Sequence, residues 1–259
     1  MTPLRQSFSW WCFANRGIEP DALLSGAAKM GYQGVDLIDE PLWPLAHKHG
    51  LTIAAIAGHA SIEDGLNRRE NAARIEKELR TSIAKASEAK IPVVLCFAGD
   101  RTHTRSEEEG LAICAETLSR IVPAAADAGV VIALELLNSK VDHPGYQGDH
   151  TLWGVELCRR VNSPAFQLLY DIYHMQIMEG DIIRTIKAQN AFFAHYHTAG
   201  VPGRVQPDEN QELFYPAIYR AIAETSYKGF VSHEFPTGQD PLKALKLAYN
   251  DCVAAIKNG

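Results

Sequence analysis

Short apolar runs alternate with longer amphipathic ones along the whole chain. The runs at 8–12, 34–38, 52–57, 93–97, 131–136, 167–171, 193–197 and 229–234 read as strands. Between and after them, the segments 20–30, 42–49, 69–89, 106–128, 151–161, 181–188, 216–225 and 241–257 carry helical periodicity. Several helix ends are marked chemically. Pro20 follows Glu19, and Glu107, Glu108 and Glu109 follow Ser106, placing proline or acid where a first turn favours them. Gly31, Gly50 and Gly129 stand where a helix should stop. The runs at 93–97 and 131–136 are nearly continuously apolar, as strands of a parallel sheet covered on both faces should be. Eight strands, each followed by a helix, predict an α/β chain closed into a (β/α)8 barrel. No G-x-G-x-x-G follows the first strand, which argues against a dinucleotide-binding fold.

Length agrees with that pattern, because 259 residues is close to the roughly 250 of a typical barrel of this kind. No linker or low-complexity tract interrupts it, so residues 1–259 are expected to form one domain. A net charge of −6 supplies no global attraction to phosphate backbones, and a nucleic-acid partner is not expected. The five cysteines are far apart and form no C-x-x-C pair, which points to reduced thiols packed as small core residues. No apolar run approaches the ~20 residues of a membrane span, and the start of the chain has no basic-then-apolar signal pattern. A cytoplasmic protein with no membrane partner is the expectation, and self-association into a homo-oligomer is left open.

Active sites of such barrels form at the C-terminal ends of the strands. Four consecutive strand candidates, the fifth to the eighth, each end in an ionisable residue: Glu135, Asp171, His197 and Glu234. A buried carboxylate costs several kcal/mol unless it is paired, protonated or metal-bound. Three of them converging with one imidazole call for a divalent cation. Such an oxygen-rich donor set suits Mg²⁺, Mn²⁺ or Co²⁺, with Zn²⁺ admissible. His195 and His233 are expected on the opposite face, packed between strand and helix. His59, after the third strand, points to the same mouth as a candidate substrate contact. Of Trp10 and Trp11, alternation should send only one toward the pocket.

At these residues the chain resembles the hydroxypyruvate isomerase family of the xylose-isomerase-like barrels, a superfamily that also includes AP endonucleases. The resemblance is carried by Leu134-Glu135-Leu136-Leu137-Asn138 and by Tyr170-Asp171-Ile172-Tyr173-His174-Met175-Gln176. It continues through Gly203-Arg204, Gln211-Glu212-Leu213 and Tyr227-Lys228-Gly229-Phe230-Val231 into Glu234-Phe235. It implies metal ligands at Glu135, Asp171, position 197 and Glu234. Members of the isomerase family carry Gln at the third of these; His197 is instead similar to the ketose 3-epimerases.

The activity implied is interconversion of a small hydroxy-oxo acid, hydroxypyruvate to tartronate semialdehyde, or of a sugar, through an enediolate. The resemblance suggests that Glu135 and Glu234 double as metal ligands and acid/base groups, with Glu234 the preferred abstracting base. His174 is placed to donate to a substrate oxygen, and Arg204 to pair with a substrate carboxylate. A ketose 3-epimerase or a cyclitol or sugar dehydratase on the same metal site is the alternative, and a non-catalytic sugar-binding barrel a distant one. A DNA-repair nuclease is disfavoured: Phe97-Ala98-Gly99 occupies the fourth strand end, no D-x-H follows His197, and the chain is acidic.

Overall fold

A computed structural model describes residues 3–14, 16–238 and 240–257. Among them the strands are β1 (Arg5–Phe8), β2 (Gly34–Asp36), β3 (Thr52–Ala57), β4 (Val93–Cys96), β5 (Val131–Glu135), β6 (Phe166–Asp171), β7 (Phe193–Thr198) and β8 (Phe230–His233). They form one eight-stranded sheet in the order β1-β8-β7-β6-β5-β4-β3-β2. β1 and β2, the ends of that order, are joined by a parallel bridge between Ser9 and Asp36. The α-helices are α1 (Trp10–Phe13), α2 (Pro20–Met30), α3 (Trp43–Lys48), α4 (Ala72–Ala89), α5 (Glu107–Ala128), α6 (Thr151–Val161), α7 (Ile172–Met178), α8 (Ile182–Gln189), α9 (Tyr215–Ala223) and α10 (Pro241–Lys257). Three of them, α2, α6 and α10, have the bounds that the sequence predicts. Gly31 and Gly129 end α2 and α5 in the left-handed conformation, at φ 109° and 67°. No helix of the described residues is long and apolar enough to cross a membrane.

The chain divides into two compact units, Ala55–Gly180 with Phe192–His195, and Met1–Ala54 with Asp181–Ala191 and Tyr196–Gly259. In the first, α4 buries Ile75, Leu79, Ile83 and Ala86, a spacing of four, four and three that lines one helical face. Each of the isoleucine and leucine side chains contributes about 1.5–3 kcal/mol when withdrawn from water. Ser106 and Glu109 form a reciprocal capping box that starts α5. At the end of β4 two main chains approach closely: a Cβ on Gly65 would lie 2.3 Å from the Gly99 nitrogen. That space lets Leu66 and Asn67 donate to the carbonyls of Phe97 and Ala98 at 3.1 and 2.8 Å.

The second unit corrects the expected first strand. Residues 8–12 look like a strand because aromatic residues dominate them. The strand instead ends at Phe8, and Trp10–Phe13 turns into α1. The actual strand was hidden because it buries the polar residues Gln6 and Ser7. Gln6 is satisfied there, donating from its backbone to Gln33 Oε1 at 2.8 Å and meeting His233 Nε2 at 3.0 Å. The turn into α1 is stabilised by packing: Phe13 meets Phe8 and Phe235 edge-on at 5.8 and 5.2 Å. All five cysteines are buried, and none forms a disulfide among the described residues.

Candidate metal centre

The Ala55–Gly180 unit contributes two carboxylates by one rule of register. Glu135, the last residue of β5, lies across the ladder from Leu169 of β6. Side chains repeat every two residues along a strand, so Asp171 shares the face of Leu169 and stands one pleat further on. The ladder is still closed at that point, with Leu136 donating to the Leu169 carbonyl at 3.2 Å. Tyr146 holds the β5 end, accepting from the Ala98 amide and donating to the Glu135 carbonyl, both at 2.8 Å. Asp171 caps α7: its Oδ1 accepts from the amides of Tyr173 and His174 at 2.8 and 3.2 Å. Its Oδ2 lies 3.6 Å from His174 Nε2. The ring of His174 is fully buried, with Nδ1 held by Asn138.

The other unit repeats the arrangement. His197 of β7 lies across from Ser232 of β8, and Glu234 stands one pleat beyond Ser232, with its amide donating to the Thr198 carbonyl at 2.9 Å. His197 Nδ1 is 2.8 Å from Glu234 Oε2, and Nε2 is 3.4 Å from Oδ2 of the buried Asp36. Glu234 Oε1 accepts from Trp11 Nε1 at 2.9 Å and Ser9 Oγ at 3.2 Å; Oε2 accepts from Arg204 at 2.5 Å. Burial alone would raise the Glu234 carboxyl, but His197 and Arg204 outweigh it and hold the group well below the usual carboxylate range. Arg204 sits at φ 54° directly after Gly203. Its guanidinium carbon lies 5.3 Å from the centre of the half-exposed Trp11 ring. Trp10 is buried, so one tryptophan of the pair is available as a wall, as expected, although a helix and not strand alternation separates them.

Within each unit the pair is close, Glu135 with Asp171 and His197 with Glu234 each offering ligand atoms within 4.8 Å of one another, and all four residues are buried. Carboxylate and imidazole donors of these kinds suit an oxygen-preferring divalent cation. His233 lies on the opposite face of β8, as expected. Its nitrogens meet Thr198 Oγ1 and Gln6 Oε1, and burial brings its pKa down to about 3. His195 does not follow the expectation. It precedes His197 by two residues on the same strand, so the strand period puts both on one face. His59 has both ring nitrogens on main chain: Nδ1 meets the Ala60 carbonyl at 3.3 Å and Nε2 accepts from the Phe97 amide at 3.0 Å. Sequence reasoning passed over Asp36 and Asn138. Asp36 could have been found by applying the strand-end rule to β2, whose last residue it is.

The family model described as xylose isomerase-like TIM barrel matches residues 24–250. A Homo sapiens protein provisionally named hydroxypyruvate isomerase is 29% identical over 228 residues, 87% of this chain and 78% of its own. The 2-oxo-tetronate isomerase of Cupriavidus necator is 34% identical over 120 residues, 46% of this chain and 45% of its own. Among solved structures, AP endonuclease, family 2 from Brucella melitensis superposes with a TM-score of 0.83 at 23% identity, over 94% of this chain and 97% of that one. Sheet order, the alternation of strands and helices, and the family match agree with the fold expected from the hydrophobic pattern. The chain belongs to the xylose isomerase-like TIM barrel family.

Proposed function

We propose that this chain is a metal-dependent isomerase of small hydroxy-oxo acids, with hydroxypyruvate and tartronate semialdehyde as the pair it interconverts. The observation that carries the reading is that each compact unit presents two of the four donors as a buried, closely spaced pair, Glu135 with Asp171 and His197 with Glu234. The names of the relatives support isomerase chemistry on an oxo-acid. A divalent cation bound by the four would act as a Lewis acid, making the substrate C–H acidic and stabilising the enediolate oxygens; Mg²⁺, Mn²⁺ or Co²⁺ suits the donors, and Zn²⁺ is admissible.

The chain's own residues supply the proton transfers. Glu234, kept ionised by the Arg204 guanidinium, takes the proton from the hydroxyl-bearing carbon. Glu135 delivers a solvent-derived proton to the neighbouring carbon while the hydroxyl proton passes to the former carbonyl oxygen, so the substrate loses and gains one proton on carbon and one on oxygen. His174 donates to a substrate oxygen, and Arg204 turns its remaining N–H groups to the substrate carboxylate while one stays on Glu234. Trp11 walls the substrate beside Arg204. His59, with both nitrogens on main chain, positions the end of β4. The enzyme works in the cytoplasm on small molecules, without nucleic-acid or membrane partners.

His197 favours a second reading, a ketose 3-epimerase on the same four ligands. Cation-loaded protein incubated with hydroxypyruvate in D₂O tests the first: product carrying solvent deuterium supports it. Turnover of ketoses alone selects the second, and exchange in neither class removes both. Glu234→Gln abolishes turnover with the fold intact; near-normal activity removes Glu234 from the mechanism.

A further inference from the structure

We infer that Asn138 is a positioning residue that fixes the proton of His174 on Nε2, making the ring a neutral hydrogen-bond donor and not a base. The argument starts from what each group can do. A backbone N–H only donates, and the amide of Asn138 points at His174 Nδ1 at 3.1 Å. The Asn138 side-chain Nδ2 reaches the same nitrogen at 2.7 Å. The side-chain amide could in principle be turned end for end, which would offer Nδ1 an oxygen. Two main-chain donors forbid that: Oδ1 already accepts from the amides of Val141 and Asp142 at 3.0 and 2.9 Å. Nδ2 completes the pattern by donating to Asp142 Oδ2 at 2.5 Å.

Nδ1 therefore faces two donors and must present its lone pair. A neutral imidazole carries one N–H, so the proton resides on Nε2. Both residues are fully buried, and no water competes for these contacts. The ring cannot swing away, because Tyr173 packs against it at 5.1 Å and His143 at 5.5 Å. His143 is itself tied to Asn138, donating its backbone N–H to the Asn138 carbonyl at 3.1 Å. Nε2 looks toward Asp171, 3.6 Å from its Oδ2, which directs the N–H to the side of the proposed ligands. A neutral donor suits a substrate oxygen that gains negative charge during isomerisation, since the hydrogen bond strengthens as that charge develops. The tautomer follows from the contacts alone; only the identity of the acceptor rests on the proposed function.

The experiment is a long-range ¹H–¹⁵N correlation spectrum of histidine-labelled full-length protein, with His174→Gln used to assign the signal. The expected result is an unprotonated Nδ1 and a protonated Nε2 in both chelator-treated and Mn²⁺-free, Mg²⁺-loaded samples. A protonated Nδ1 in the parent protein overturns the inference. Asn138→Asp keeps acceptors for Val141 and Asp142 and the main-chain donor to Nδ1, but replaces the side-chain donor with a charged acceptor, which outweighs the neutral donor that remains. In that variant the Nδ1 signal should move to the protonated position, and kcat should fall about 100-fold, the order seen when one oxyanion donor is lost. A folded Asn138→Asp variant that retains the parent Nδ1 signal overturns the role of Asn138. Should the variant not fold, the parent spectrum still decides the tautomer. An inactive parent with the expected spectrum defeats the proposed function and leaves the tautomer standing.

Discussion

Asp171 holds two positions at once, and two substitutions can separate them. Its Oδ1 caps α7, while Oδ2, 3.6 Å from His174 Nε2, is the oxygen that the proposed metal site would use. Asparagine caps a helix about as well as aspartate, whereas alanine costs about 1 kcal/mol at such a position. The charge has its own effect. Asp171 and Glu135, with carboxylate oxygens within 4.8 Å of each other, repel by at least about 3.5 kcal/mol at an effective dielectric near 20, before neighbouring cations offset it. In chelator, then, Asp171→Asn should be no less stable than the parent, and Asp171→Ala about 1 kcal/mol less stable than Asp171→Asn. Denaturant titrations with a common slope measure both differences. With cation at about 100 times its Kd the parent gains about 2.7 kcal/mol, or roughly 5–10 °C in Tm. Asp171→Asn should gain little of it. Equal cation stabilisation of parent and Asp171→Asn refutes the ligand role, and equal stability of the two variants in chelator refutes the cap.

Asp36 stands at Nε2 of His197, where a carboxylate can keep the proton away from Nδ1; Asp36→Asn should weaken cation binding about 10- to 100-fold by calorimetry, and an unchanged Kd would show that the ring holds its orientation without it. Ser106→Ala removes the side-chain half of the α5 capping box, leaving the main-chain amide of residue 106 on Glu109, and should cost about 1 kcal/mol, roughly 2–4 °C in Tm, with cation affinity unaltered. Burial lowers the pKa of His59, against weaker opposing effects from the Ala60 carbonyl and Glu78. Its neutral form is therefore favoured in the folded protein: the contribution is complete above about pH 6.5, the unfolded value, and is lost as pH falls below it. His59→Gln, which still offers Phe97 an acceptor, should flatten the decline in denaturation midpoint between about pH 7 and about pH 5; an identical decline in both proteins would exclude His59 as its source.

The quartet was legible in the sequence because each member sits where an apolar run stops, and a polar group at a strand end contrasts sharply with what precedes it. β1 was not legible for the opposite reason: its inward residues, Gln6 and Ser7, are polar and become acceptable only through partners distant in the chain, Gln33 and His233. The seven-residue helix α7 was missed because its start signal, Asp171, was read as the end of a strand; the residue serves as both. Asn138 was visible within the Leu134–Asn138 motif, but its aim at His174 depends on a loop whose geometry no periodicity encodes.

Register was also unreadable from one sequence, and the site depends on it. In each unit the second proposed ligand lies one pleat past the residue opposite the first: Asp171 beyond Leu169, and Glu234 beyond Ser232. A slip of one residue in either pair would turn a carboxylate to the other face of the sheet. The bonds that prevent such a slip are at the strand ends themselves, from the Leu136 amide to the Leu169 carbonyl and from the Glu234 amide to the Thr198 carbonyl. These two ladder bonds, made by main chain with no chemistry of their own, keep Asp171 and Glu234 on the faces of Glu135 and His197, and so belong to the site as much as the side chains do.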